Sequence, residues 1–450
     1  MHRASFLIGA AGALAAAAQP AAGAKVRASL FVDPANGKWG AEISSRDFSG
    51  VLRGLSPRAL DGTVLQAANP APETSHAVIL TNLPSVATQG VPGSVGSPGS
   101  CEAQSFGYCL GAYTAARNPN GSVKWPASDA ANQPSAAWLY QWEHQLQEHD
   151  ARICPAGSGA KPYADKLVAD GAPSTAAIPY NPHDATTVGA ECTYIKGLNV
   201  TTMPPGSSRL LVGSYKVYSN VQSSDLAHFK ELIRHGHAIA FSGLVAKGYG
   251  VQSPPLVNGA FTAPQGFKNP SGHGQVIVGY DDSKGPHGAF LVQNSFGPGW
   301  NPGPTSDHGR NGRIWWDYDA FFGSQKYALI MFPNAPMSGT GTTLHASAAG
   351  PRFVVANATV HTDAKGKHHL LFVTQASEAV TITQLHVAPH AGRQANVKLN
   401  ETMRLGYQYV TRRGKKAFPP GPCKVTYTLK TRSGATLNYS GTVQVTAARA

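Results

Sequence analysis

Apolar residues recur at helical spacing through the first part of this chain and at strand spacing through the last part. Between Pro134 and His149, Trp138, Leu139, Trp142 and Leu146 fall on one face at a period of about 3.6 residues, which predicts a helix. Residues 101–117, from Cys101 through Tyr113 to Arg117, suit a second helix whose small residues allow close packing. Lys161–Gly171 suits a third and Ser224–Ile233 a fourth, with Ser224 placed to cap its start and Gly236 to close its end. Strands are predicted at Ala238–Phe241, Gly274–Tyr280, Ala289–Asn294, Arg313–Asp317 and Tyr327–Phe332. Helices come first and strands later, so residues 81–335 read as an α+β domain rather than a repeated βαβ unit. Residues 336–346, rich in Gly, Ser, Thr and Pro, read as a linker. Beyond them the apolar period becomes two, at Phe353–Ala356, Leu370–Val373, Val380–Thr383, Lys424–Leu429 and Leu437–Val445. Short strands separated by turn residues predict an all-β, immunoglobulin-like sandwich over residues 347–450.

The amino terminus has a different pattern. His2 and Arg3 precede an apolar stretch from Ser5 to Ala18, and Ala22-Gly23-Ala24 offers a small-x-small cleavage site. Residues 1–24 therefore read as an export signal. The stretch is too short and alanine-rich for a membrane span, which needs about 20 apolar residues. The expected location is secreted or periplasmic, with no membrane span. Residues 25–80 carry one strand-like piece, Val26–Val32, and read as an N-terminal extension or short propeptide.

Composition narrows the partners. Of 450 residues, 42% are hydrophobic, which is ordinary, but only 14% are charged. The net charge of +13 favours anionic surfaces such as cell-envelope polymers. The densest basic run is Arg412, Arg413, Lys415 and Lys416, with no basic stripe elsewhere, so a nucleic-acid partner is not expected. Asn-x-Ser/Thr triplets at Asn120, Asn199, Asn357, Asn400 and Asn438 would be sugar acceptors only in a eukaryotic source. No spacing of His, Cys or carboxylates suggests a metal, and no phosphate-cradling loop is present, so no cofactor is expected.

Five cysteines are present: Cys101, Cys109, Cys154, Cys192 and Cys423. An odd number in an exported chain leaves at least one thiol unpaired. Cys154 and Cys192 bracket a loop-rich stretch and are expected to pair, and Cys109 and Cys423 are expected to be buried thiols. Cys101 stands apart, in Gly99-Ser100-Cys101-Glu102-Ala103 at the start of a predicted helix. The thiolate is the nucleophilic form of cysteine, and the positive end of a helix favours it. Ser100 is placed to satisfy a free helix amide. A second segment, Ser271-Gly272-His273-Gly274, sets a histidine between glycines at the head of an apolar strand. Neutral imidazole there could take a thiol proton and return it to a leaving amine. A third, Gln293-Asn294-Ser295-Phe296-Gly297-Pro298-Gly299-Trp300, ends a strand in an amide that could orient the imidazole, with aromatic residues behind it. Taken singly, each segment also suits a plain structural role: a buried cysteine, a surface histidine, a turn.

Together, and in the order Cys, His, Asn, the three segments resemble the papain-like cysteine peptidases over about residues 83–332. The Gly-Ser-Cys opening, the Gly-His strand running into Val278-Gly279-Tyr280, and the Asn-Ser segment followed by Trp300 carry the resemblance, with Pro179-Tyr180 supporting the fold. It implies a two-lobed domain, with Cys101 on a helical lobe, His273 and Asn294 on a β-lobe, and an extended polypeptide bound between them. His273 lies 172 residues after Cys101 and Asn294 lies 193 after it. Both exceed the family's usual separation of about 130–150, which implies loop insertions. The family's oxyanion-donating Gln precedes the Cys by six residues, where this chain has Val95. Gln89, within Leu83–Gly90, is the expected substitute, with extra residues in Val91–Pro98. Glu102 replaces the family's aromatic after the Cys, and Phe296 replaces its Trp after Asn-Ser. These departures leave room for a catalytically idle binding or scaffold protein on the same fold. The charge and export also admit a cysteine amidase acting on cell-wall peptides.

Overall fold

A computed structural model describes residues 74–89, 98–147, 157–180, 190–205, 207, 209–219, 221–245, 249, 253–262, 271–334, 341–346, 348–362, 368–391, 394–411 and 418–447. The expected export signal, the Val26–Val32 strand, Val95 and Cys154 lie outside these residues.

The helix expected from Cys101 forms. This element, α1, has wide-turn π geometry over Ala103–Leu110 and continues as α-helix over Gly111–Ala115. It is buried along its whole length, and two glycines explain how. A Cβ at Gly107 would lie 2.6 Å from Leu139 Cδ1, and one at Gly111 would lie 2.8 Å from Leu167 Cδ1. The missing side chains let two neighbouring helices approach the α1 backbone. These are α2 (Ala136–Trp142), extended by a wide turn over Glu143–Gln147, and α3 (Ala160–Ala169). Ser135 starts α2 by accepting the Trp138 N–H. A fourth helix, α4 (Ala190–Lys196), was not evident in the sequence and packs on α2.

Against α1 lies an antiparallel sheet of β1 (Ala77–Ile79), β2 (Val212–Ser219), β3 (Ile239–Val245), β4 (Ser271–Asp281), β5 (Ala289–Gln293), β6 (Arg313–Asp317) and β7 (Gln325–Pro333). The order is β2-β7-β3-β4-β5-β6, with β1 on β4. All five strands expected here are present; β1 and β2 are additions. Helix α5 (Leu226–Arg234) forms where expected, but Ser224 does not cap it. A short 3-10 turn, Ser223–Asp225, precedes it, and the Gln222 N–H donates to the Asp225 carboxylate at 2.9 Å instead. Gly236 closes the helix with φ of 82°, as its position suggested. Phe229 of α5, Phe241, Phe290, Trp316 and Phe321, the last on α6 (Tyr318–Ser324), pack edge-on beneath the sheet.

The carboxy-terminal region is all β. Thr342–Ala346, expected within a linker, is strand β8. It is followed by β9 (Phe353–Thr362), β10 (His368–Pro389), β11 (Ala395–Thr411), β12 (Gly421–Thr431) and β13 (Thr436–Ala447). The strands expected near 370 and 380 are one long strand, β10. Its first half pairs with β9, its second half with β12, and β11 runs beside both halves. β13 pairs with β12, β8 and β9. The pairings thus describe one continuous sheet closing on itself, where two facing sheets of a sandwich were expected. Period-two patterning fixes which face of a strand is buried, not which strand lies beside it. Phe372, Ile382, Leu385, Val387, Val425, Tyr427 and Val443 fill the interior.

This region sits directly on the helical part. Arg404 of β11 donates from Nε to Val168 O at 3.1 Å and from Nη2 to Ala169 O at 3.0 Å, capping the end of α3. No helix among the described residues is long and apolar enough to cross a membrane.

Candidate active site

Cys101 opens α1 and is 0% exposed. It is not in a disulfide; Cys109 and Cys423 are also buried thiols, as expected, while Cys192 is disulfide-bonded. His273 is the third residue of β4, opposite Gly243 of β3, and is also 0% exposed. The strand and the helix touch at the next residue. A Cβ on Gly274 would lie 2.6 Å from Ser105 Oγ and 3.1 Å from the Glu102 carboxyl. Ser105 Oγ in turn donates to Cys101 O at 2.7 Å. The glycine after the histidine is what lets the sheet lie against the first turn of the cysteine helix.

Asn294 follows β5, the neighbour of β4, and its backbone N–H is held by Gly312 O at 3.0 Å. Its Oδ1 lies 2.8 Å from His273 Nε2 and also accepts the Ser295 N–H at 2.7 Å. The second bond settles the first: an atom that accepts a backbone N–H is the amide oxygen, so Nε2 must be the donor. The neutral ring then carries its lone pair on Nδ1, the nitrogen left to take a thiol proton. Phe296 stacks on the ring at 4.8 Å and 12°, and Trp300 meets Phe296 at 5.6 Å. These apolar faces exclude water from the His273–Asn294 bond. Burial pushes the His273 pKa down to about 4, against the Asn294 bond, which raises it. The imidazole is therefore neutral at neutral pH.

Gln89 is buried and links the segments. Its Oε1 accepts from Ser295 Oγ at 2.9 Å, and its Nε2 donates to Pro98 O at 3.3 Å. The amide thus spans from beside Asn294 to just before Cys101, with one of its two hydrogens committed to Pro98. Ser100 does not cap the helix. Its hydroxyl bonds to Tyr180 Oη at 2.5 Å, and that hydroxyl donates to Gln89 O at 3.0 Å. Burial raises the Tyr180 pKa well above its usual range, so it remains a hydroxyl. Glu102 is fully buried and accepts from Ser242 Oγ of β3 at 2.5 Å. Sequence reasoning gave Tyr180 only a structural role and missed Ser242. The Pro-Tyr pair was the available signal for Tyr180; Ser242 sits in an ordinary strand and offers none. Among the described residues, no group of three or more His, Cys, Asp or Glu is placed to hold a metal.

No family profile and no curated protein sequence matches the chain. Several solved structures are similar to it. Xylellain, a cysteine protease from Xylella fastidiosa, is 19% identical over 64% of this chain and 96% of its own, with a TM-score of 0.39. The bromelain protease from Ananas comosus is 14% identical over 58% of this chain and 100% of its own, with a TM-score of 0.38. Digestive procathepsin L 3 of Tenebrio molitor is 14% identical over 64% and 84%, with a TM-score of 0.38.

Proposed function

We propose that the chain is a cysteine-type peptidase that hydrolyses polypeptides with Cys101 as nucleophile, His273 as base and acid, and Asn294 as the residue orienting the base. The observation that carries this reading is the 2.8 Å bond from His273 Nε2 to Asn294 Oδ1, on a strand packed against the helix that Cys101 opens. In the reaction, His273 Nδ1 takes the Cys101 proton and the sulfur attacks the peptide carbonyl carbon. The Cys101 backbone N–H and the second Gln89 amide hydrogen would stabilise the oxyanion. The imidazolium protonates the leaving amine as the C–N bond breaks, giving an acyl-enzyme. Water then gives a proton to His273, attacks the thioester and releases the acid. The substrate would lie extended between the helical part and the sheet. Residues 81–335 form the peptidase domain in this reading, behind an export signal at 1–24. The β region from 347 to 450, expected as an immunoglobulin-like module, serves attachment rather than chemistry.

Complete burial of Cys101 and His273 favours one rival, an idle scaffold on the same fold. In the peptidase reading, the residues that bury the sulfur would have to move for a substrate to reach it. Iodoacetamide labelling followed by casein digestion separates the two readings. Cys101→Ala controls for labelling at the other described thiols, Cys109 and Cys423, whose pKa burial pushes up to about 12 and about 11. The expected result is modification at Cys101 and loss of casein cleavage, matched by Cys101→Ala. An unlabelled Cys101 and no cleavage by the untreated protein would establish the scaffold.

A further inference from the structure

The charge of this chain is unevenly placed. Residues 351–450 hold 14 basic and 3 acidic side chains, a net +11 out of +13 for the whole protein. The strand registers show where part of that charge is displayed. On β10, Leu385 and Val387 point into the β-region core, so Gln384, His386 and Ala388 face outward. Gln384 stands between Lys398 of β11 and Thr428 of β12, and Thr428 pairs with Asn438 of β13. In the next row Asn396, His386, Thr426 and Ser440 lie side by side. Lys424 pairs with Thr442 on one flank, and Lys430 with Thr436 on the other. Thr381 and Thr402 extend the Lys430 row.

We propose that this outer face of β11-β10-β12-β13 is a binding surface for an acidic polysaccharide. Four adjacent strands present Lys398, Lys424 and Lys430 among hydroxyl, amide and imidazole groups, with no carboxylate and no aromatic residue at the outward positions named. Strands lie about 4.8 Å apart and same-face residues about 6.8 Å apart along each strand, which gives a two-dimensional array of donors on the curved outer face of the sheet. The lysines match carboxylate or sulfate groups, and the Thr, Ser, Asn and Gln side chains match sugar hydroxyls as both donors and acceptors. A bilayer or a nucleic acid fits the face less well. The exposed large hydrophobic residues among those described are Val123 and Val257, neither in this region, so the face has nothing to insert into lipid or stack on bases. This surface is independent of Cys101 chemistry, and it stands or falls without it.

The test uses the full chain in affinity electrophoresis through polygalacturonate, dextran sulfate or neutral dextran. Retardation is expected in the two acidic polymers and not in neutral dextran. K398Q/K424Q/K430Q is expected to weaken binding at least tenfold and to lower the slope of log affinity against log salt by about 2–3, since each screened charge contributes just under one. K124Q/K196Q/K284Q removes the same charge outside the β region and is expected to change affinity less than twofold. Ser440→Asp, one substitution at an exposed central position, is expected to weaken binding at least threefold without touching the lysines. Equal losses from both triple variants, no retardation in either acidic polymer, or tighter binding to polyglutamate, phosphatidylglycerol vesicles or DNA would overturn the proposal.

Discussion

The amide of Asn294 is fixed from two sides, by its own backbone bond to Gly312 and by the Ser295 N–H on its oxygen. That constraint is what makes it useful to a histidine: the oxygen cannot turn away, so the ring keeps one tautomer. Asn294→Ala removes the amide oxygen that fixes the tautomer of the ring, while the Phe296 stack stays in place. The expected loss in kcat/KM on a peptide substrate is about 10²-fold, the usual cost of a misplacement of about 1 Å, with KM little changed. Steady-state kinetics against an unfolded polypeptide measure it. Cys101, His273 and Asn294 stood out in the sequence as candidates because each sits in a distinctive local setting of glycines, a strand end or a helix start. Gln89 was legible only as a candidate, since its contacts with Ser295 and Pro98 depend on how the intervening loop folds. Ser242 could not be read as a neighbour of the site, and Tyr180 only as a residue of the fold, because their partners lie 140 and 80 residues away in the chain.

At the level of elements, two close approaches hold the described parts together. The first is α1 against β4 at Gly274. Gly274→Ala places a methyl 2.6 Å from Ser105 Oγ, whose position is fixed by its bond to Cys101 O. The strand must shift from the helix, which separates His273 from the Cys101 turn. The expected result is about 1–3 kcal/mol of lost stability by urea denaturation and a disproportionate loss of activity. The second is β11 against α3. Arg404 supplies two charge-assisted hydrogen bonds to the last carbonyls of the helix, where its charge also suits the dipole. Arg404→Ala is expected to cost about 2 kcal/mol, and Arg404→Lys to recover less than half, because an ammonium cannot reproduce the forked geometry. Thermal unfolding of the two variants decides this. The helices themselves were readable from their apolar faces. The Ser224 cap was not, because a Gln222–Asp225 exchange moved the start by two residues, and such local competition leaves no periodic trace.

For the whole molecule, the buried imidazole links stability to pH. His273 titrates at about 4 in the folded chain, against about 6.5 when unfolded. As pH falls through 6.5 the unfolded state takes up the proton first, so stability drops between pH 6.5 and about 4 and is fully present above that window. The difference is of the order of 3 kcal/mol at 1.36 kcal/mol per unit. His273→Gln removes the titration. The loss in stability from pH 7 to pH 4 is expected to be smaller by about that amount in the variant, measured by denaturant unfolding at each pH.

The amino-acid sequence alone set the local features: the apolar faces of the helices, the alternation of the strands, the order of the three candidate segments and the buried thiols at Cys109 and Cys423. These follow from side-chain type and short-range spacing, which act before distant parts of the chain meet. Tertiary structure decided the rest. It joined two expected strands into β10 and closed the last six strands into one sheet, because strand neighbours are chosen by long-range pairing. It set Glu102 on Ser242 and Ser100 on Tyr180, because a buried polar atom must find its partner wherever the fold provides one.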